Sequence, residues 1–264
     1  MIAVTTLVDP RVDRWLPLRG PAGSAAGMPM YCLPHAGGGA SAYRPWLGRL
    51  PGVSVRAVQP PGREARFRDP VFTGMAELVG ELAEVVVADV ERSGAPRYAV
   101  YGHSLGALVA FELVRALRSL RAPDPAHLFV SGCVAPQYGA SDGPPVLGMS
   151  RAEVVDMLRR LGGTPEWLLA DASVVDMILP AVRADFSVKE TYAHSAQEPL
   201  AVPITVIAST ADPRADLTLQ HAWREHTTAA FELHTLVGGH FAVFEQESTT
   251  HRFITTALST MEQS

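Results

Sequence analysis

Gly102-His103-Ser104-Leu105-Gly106 is the segment of this chain best suited to covalent chemistry. A serine between small residues, set where a strand turns sharply into a helix, has its hydroxyl thrust clear of the backbone as a nucleophile. The motif follows an apolar run at residues 97–101 and opens a stretch, 105–120, that is apolar nearly all round. The Leu105 amide, at the start of that helix, would face the negative charge developing on a carbonyl under attack, aided by the positive helix end. The plainer alternative is a glycine-rich turn with an incidental serine.

A hydroxyl nucleophile needs a base, and nine histidines compete. On this kind of elbow the histidine comes last in the chain, in a loop after a late strand. His240 fits: Val237-Gly238-Gly239-His240-Phe241 ends the apolar run 231–237, and the paired glycines free the loop to carry an imidazole over the sheet edge. His234 lies within that strand and His251 in a helical pattern, so both read as structural. The orienting acid is expected between serine and histidine, after a strand. Residues 204–208 lead into Ser209-Thr210-Ala211-Asp212-Pro213, which offers Asp212. Asp216 is the neighbouring competitor and reads better as an acid at a helix N-terminus. The strand at 128–131 is followed by no carboxylate before Asp142. A second oxyanion donor is expected after the first core strand, where Pro34-His35-Ala36-Gly37-Gly38-Gly39 offers the Ala36 amide. As a phosphate-binding loop this run lacks the Gly-Lys-Ser/Thr ending.

The elements that must position these residues are visible as alternation. Short apolar runs at 30–33, 53–58, 98–101, 128–131, 204–208 and 231–237 have the length and β-branched content of buried strands. Helical patterns lie between them, one with Met75, Leu78, Val79, Leu82, Val86 and Val90 on its apolar face. Such alternation predicts a mostly parallel central sheet with helices on both faces. Residues from about 140 to 200 break the pattern. Ser150-Arg151-Ala152-Glu153 is a capping box opening a helix that stops at Gly162-Gly163. A second helical stretch, about 165–185, is expected to be interrupted at Pro180. The insertion reads as a helical lid over the site or as an edge-covering excursion. Residues 1–27, rich in Pro, Gly, Ala and Arg, read as an N-terminal arm.

Composition bounds the rest. A length of 264 residues, 47% hydrophobic, suits one large α/β domain spanning 1–264 with a substantial core. A net charge of −5 argues against nucleic acid, which demands a basic face. No run is apolar enough to span a membrane, and the start lacks the basic and apolar regions of a signal peptide. The expectation is therefore a cytoplasmic protein. Cys32 and Cys133 form no metal motif and read as buried small hydrophobes, so no metal site is expected.

Several blocks in series carry a resemblance. They are residues 31–41 (Tyr-Cys-Leu-Pro-His-Ala-Gly-Gly-Gly-Ala-Ser), Pro60-Pro61-Gly62-Arg63-Glu64, Gly102-His103-Ser104-Leu105-Gly106-Ala107, Leu179-Pro180-Ala181-Val182-Arg183-Ala184-Asp185 and Gly238-Gly239-His240-Phe241. Together they resemble the type II thioesterases of polyketide and nonribosomal peptide assembly lines. The resemblance implies an α/β-hydrolase fold with a helical lid and hydrolysis of acyl groups from the phosphopantetheine arm of carrier proteins. It also implies a Ser104–His240–Asp212 triad with Ala36 and Leu105 as oxyanion donors. Fused terminal thioesterases look different, since their acid usually follows the strand before the lid, where Gly132-Cys133-Val134 offers none. The family often has a glycine pair before the acid, where this chain has Thr210-Ala211.

On this reading the partners are acyl or peptidyl carrier domains, no cofactor is held by the chain itself, and a monomer is expected. His35 and His103, with Leu158, Leu161, Trp167 and Leu168 of the lid, are expected to border the acyl chamber, with core packing the alternative for the lid residues. Arg63, Arg66 and Arg68 are candidate contacts to an acidic carrier, although a solvated loop is the ordinary role of such a run. The rival readings are a carboxylester hydrolase or acyltransferase on the same fold, and a non-catalytic hydrolase-fold binding protein.

Overall fold

Runs such as Met30-Tyr31-Cys32-Leu33 form strands because their alternate side chains find apolar partners on both sides. In the computed structural model, which describes residues 9–18, 27–141 and 144–260, six strands form one parallel sheet. They are β1 (Met28–Leu33), β2 (Val53–Ala57), β3 (Ala99–His103), β4 (His127–Ser131), β5 (Ile204–Ser209) and β6 (Phe231–Leu236). Tyr31 and Leu33 enter the core on one face, while Met30 and Cys32 enter the core on the other. β3, β4 and β5 are buried along their whole length, and the edge strand β6 is largely half-buried.

Strand order is β2-β1-β3-β4-β5-β6. From β1 the chain steps to β2, then crosses back to β3 on the other side, so the direction of winding reverses between β1 and β3. Loops leaving the carboxyl ends of two such strands part to opposite faces and leave a crevice where ligands bind. Register places Leu33 beside Gly102 and His103 beside Ser131, so residues 34–39 and Ser104 emerge next to each other.

Helices cover both faces, as expected. α1 (Pro10–Trp15), α2 (Met75–Ser93) and α3 (Leu105–Ser119) pack on one face, and a short turn at Ala40–Trp46 together with α9 (Glu247–Thr260) packs on the other. α1 lies inside the segment read as an arm. Asp9 caps it by accepting from the Arg11 amide, and Val12 and Trp15 are buried against the core. The composition of the segment conceals these anchors; the remainder of 1–27 lies largely outside the described residues.

The insertion folds as α4 (Arg151–Leu161), α5 (Glu166–Leu169) and α6 (Ala172–Glu190). Ser150 and Glu153 form the reciprocal capping box. α6 runs through Pro180 without ending there, which corrects the expected interruption. Proline forfeits one backbone hydrogen bond, and the apolar face of α6 outweighs that loss by burial. Val146, Val154, Met157, Leu158, Leu169, Val182 and Phe186 form a separate small core for this layer, packed against Ala36 of the β1 loop. α7 (Leu217–His221) and α8 (Ala242–Glu245) complete the elements used below.

Candidate active site

Ser104 has φ 57° and ψ −120°, a conformation that non-glycine residues rarely adopt. The spacing of its flanking glycines has a steric cause. A Cβ on Gly102 would fall 2.1 Å from the Gly106 carbonyl oxygen, and one on Gly106 would fall 2.2 Å from the Leu33 carbonyl oxygen. The turn therefore closes only if both positions lack a side chain. The Ser104 amide donates to the Ser131 carbonyl at 2.8 Å, which ties the elbow to β4. Leu105 begins α3, so its amide belongs to the first turn, where no intrahelical acceptor exists.

His240 lies just before α8 and is 3% exposed. Its Nδ1 lies 2.8 and 3.0 Å from the two Asp212 carboxylate oxygens. The Asp212 side chain is fully buried and also accepts from the Arg214 amide at 2.9 Å. The Ser-Thr-Ala stretch that replaces a glycine pair is accommodated. Ser209 closes the β5–β6 ladder opposite Leu236, and the Ala211 amide donates to the Gly238 carbonyl. Asp216 caps α7 through the Thr218 and Leu219 amides instead. Asp142 lies outside the described residues. His234 stacks on Phe253 at the edge of the sheet, and His251 packs against Trp46.

The ring of His103, the residue before Ser104, is 4.9 Å from the ring of His240, which brings the histidine loop to the elbow. Both rings sit over Gly132, where a Cβ would fall 2.5 Å from His103 Cε1 and 3.2 Å from His240 Cε1. His103 Nδ1 shares a hydrogen bond with Ser131 Oγ, which Tyr101 also engages. Burial, reinforced by His240, drives the His103 pKa well below the ordinary imidazole range, and burial pushes His35 down to about 3. In both residues the shift favours the neutral imidazole. Their rings pack with Phe241 as neutral walls beside Ser104.

The β1 loop is fastened on several sides. The Gly38 amide donates to the His35 carbonyl, the Gly37 amide to Asp185 of α6 at 2.7 Å, and the Ala40 amide to Gln59 at 3.1 Å. Among the described residues the Ala36 amide has no acceptor, as an oxyanion donor requires. A cleft of about 30 Å³ lies beside this loop, lined by Pro34, His35, Leu105, Gly106, Trp15 and Phe72 among others. Neither Ser104 nor His240 lines it.

Other expected contacts are placed differently. Trp167 is 71% exposed, because Leu169 of the same short helix takes the buried position. Leu168 is only half-buried, and Leu158 and Leu161 pack within the insertion's own core. Arg63 and Arg66 do not face solvent. The Arg63 guanidinium pairs with Asp185 and donates to the Pro61 carbonyl. Arg66 stacks over Trp15 at 4.4 Å and bonds Asp69. Only Arg68 of the three stays exposed. The Trp15 ring draws Arg66 inward, and the buried Asp185 carboxylate draws Arg63. The contact of Asp185 with Gly37 went unread, although its motif carries the signal: an acid on a helix of the insertion, next to Ala184 and one turn after Ala181. Among the described residues no helix is long and apolar enough to cross a membrane.

The profile of the thioesterase domain family matches residues 28–258. Over 238 residues the chain is 36% identical to the gramicidin S biosynthesis protein GrsT of Aneurinibacillus migulanus, covering 90% of this chain and 91% of that protein. It is 40% identical over 221 residues to thioesterase PikA5 of Streptomyces venezuelae, covering 82% and 76% respectively. Among solved structures it is similar to the type II thioesterase BorB from the borrelidin biosynthetic cluster. That match has a TM-score of 0.80 and 35% identity, covering 93% of this chain and 96% of that one.

Proposed function

Since the chain belongs to the thioesterase family and is a type II thioesterase of polyketide and nonribosomal peptide pathways, we propose that it removes aberrant or stalled acyl groups from the phosphopantetheine arms of carrier proteins. The observation that carries the chemistry is the buried His240–Asp212 pair brought against the strained Ser104 elbow. With Nδ1–H donated to Asp212, His240 presents Nε2 as the base. It takes the Ser104 proton as Oγ attacks the thioester carbonyl, and the Ala36 and Leu105 amides receive the oxyanion. The C–S bond breaks, the pantetheine thiol leaves with the proton from the imidazolium, and a serine ester remains. Water then attacks that ester, with His240 again as base, and releases the free acid.

A thiol with a pKa near ~8.5 leaves with less help than an amine, so selection falls on the acyl group and its carrier. The chain holds no cofactor of its own on this reading, and acts as a cytoplasmic monomer that meets acyl or peptidyl carrier domains. Arg68, exposed beside the half-exposed Phe67, is the member of the basic run that would meet an acidic carrier. The test is a panel of acyl groups loaded on one carrier protein, with wild type compared with Ser104→Ala. Release of free acid by wild type alone is expected. Equal turnover of matched simple esters and acyl carriers would instead favour a general ester hydrolase.

A further inference from the structure

Two blocks of the sequence, at 60–64 and 179–185, have no part in the triad, yet Arg63 of one and Asp185 of the other meet at the β1 loop. Asp185 lies on α6, and its Oδ2 accepts the Gly37 amide at 2.7 Å. One turn earlier on the same face, Val182 sits so close to Gly37 that a Cβ there would fall 2.8 Å from Val182 Cγ2. Gly37 has φ +79°, which suits a residue without a side chain. The same carboxylate oxygen pairs with the Arg63 guanidinium, which is anchored in turn on the Pro61 carbonyl at 2.6 Å. Both side chains are about nine-tenths buried. The Gln59 and Glu64 side chains hold the far end of the loop through Ala40 and Ser41.

From this geometry we infer that Asp185 is a positioning residue for the oxyanion hole: it fixes the Ala36–Gly37 peptide from the lid, and Arg63 neutralises its charge. The inference rests on the serine mechanism proposed above. The Gly37 N–H belongs to the peptide immediately after the Ala36 donor, so its acceptor sets the angle at which that donor meets the developing oxyanion. A charged acceptor holds such a bond shorter and straighter than a neutral one. Without Arg63 the carboxylate would bring an unpaired negative charge close to the one that develops in the transition state. Seating of α6 and competence of the oxyanion hole are therefore one event: a lid that lifts withdraws Asp185 and frees the peptide.

Two double variants separate positioning from folding, since both remove the buried charges together and so avoid leaving one unpaired. Arg63→Met/Asp185→Leu deletes the acceptor for Gly37, and Arg63→Met/Asp185→Asn keeps it as an amide oxygen. Displacement of one donor by about 1 Å costs on the order of 10²-fold. The leucine variant is expected to lose about 30- to 100-fold in kcat on a small acyl-pantetheine thioester, with KM within about threefold. The rate at which a fluorophosphonate labels Ser104 is expected to fall in parallel. The asparagine variant is expected to recover both rates to within about fivefold of wild type. Asp185→Glu, which keeps the charge and moves the acceptor by one methylene, serves if either double variant fails to fold, and is expected to lose about tenfold in kcat. Equal kcat in the two double variants, a loss confined to KM, or wild-type kcat in Asp185→Glu would overturn the inference. A wild-type chain that fails to label at Ser104 would overturn the serine mechanism itself.

Discussion

At Ser104 a positive φ holds a side chain in a conformation that costs a non-glycine residue about 1–3 kcal/mol. That cost separates two substitutions at one position. Ser104→Ala removes the hydroxyl but keeps Cβ and its strain, so turnover is expected to vanish with the melting temperature nearly unchanged. Ser104→Gly is expected to be equally inactive yet more stable by about 1 kcal/mol, through relief of the strain. Parallel thermal melts decide it, and a glycine variant no more stable than the alanine one would contradict the account. A second pair of residues tests the choice of acid. Asp212→Asn is expected to lower kcat about 10³- to 10⁴-fold by disturbing the imidazole tautomer. Asp216→Ala, which removes only the α7 cap, is expected to cost about 1 kcal/mol of stability and leave kcat unchanged. Steady-state rates and denaturant midpoints for the two variants distinguish these effects. The position of Ser104, Asp212 and His240 at the carboxyl ends of β3, β5 and β6 was readable from the chain, because each lies within a few residues of a strand end that the local pattern marks. The orientations of Trp167 and Arg63 were not, because they depend on residues distant in sequence: Val146, Val182 and Phe186 make the core that takes Leu169 and leaves Trp167 outside, and Asp185 of α6 pairs with Arg63.

Between elements, the insertion meets the loops of the candidate site through contacts that include Asp185 and Val182 against Gly37 and Gly163 against Phe241. Gly163, just past the end of α4, has φ +79°, and a Cβ there would fall 2.4 Å from Phe241 Cζ. Phe241 follows His240 and packs edge-on against His35 at 4.8 Å. A side chain at 163 must therefore displace the insertion or turn the aromatic ring next to His240. Gly163→Val is expected to destabilise the protein by about 1–3 kcal/mol and to lower kcat about tenfold. A melt that shifts without any change in kcat would show that the lid yields and the histidine loop does not. The elements themselves were legible: all six strands fall where short apolar runs predict them, and the capping box at Ser150 opens α4 where the motif says. α1 escaped because three buried side chains, Val12, Trp15 and Leu16, are too few to set a periodicity amid Pro and Arg. The continuity of α6 through Pro180 escaped for a related reason, since propensity is local and the burial that overrides it is not.

Taken as a whole, the molecule buries several imidazoles as neutral groups, and that choice ties its stability to acidity. Burial lowers His35 to about 3, His127 to about 4 and His226 to about 4, and drives His103 well below its ordinary value. Each of these side chains titrates near ~6.5 once the chain unfolds, so below that pH the unfolded state binds more protons than the folded one. Stability contributed this way is complete above about pH 6.5 and is lost as pH falls toward each folded-state value. Every such histidine steepens the decline by up to about 1.4 kcal/mol per pH unit within its window. The melting temperature is therefore expected to hold above pH 7 and drop steeply between about pH 6.5 and 4. His127 isolates the effect from catalysis. It stands at the start of β4, at the opposite end of that strand from Ser131, bonded to Thr205 and stacked on Phe129. His127→Gln retains a partner for Thr205 and has nothing to titrate, so its midpoint is expected to fall less between pH 7 and 5 while activity at pH 7.5 stays at the wild-type level. Melts of the two proteins at pH 7.5, 6 and 5 measure the difference, and parallel pH profiles would show that His127 takes up its proton without loss of the fold.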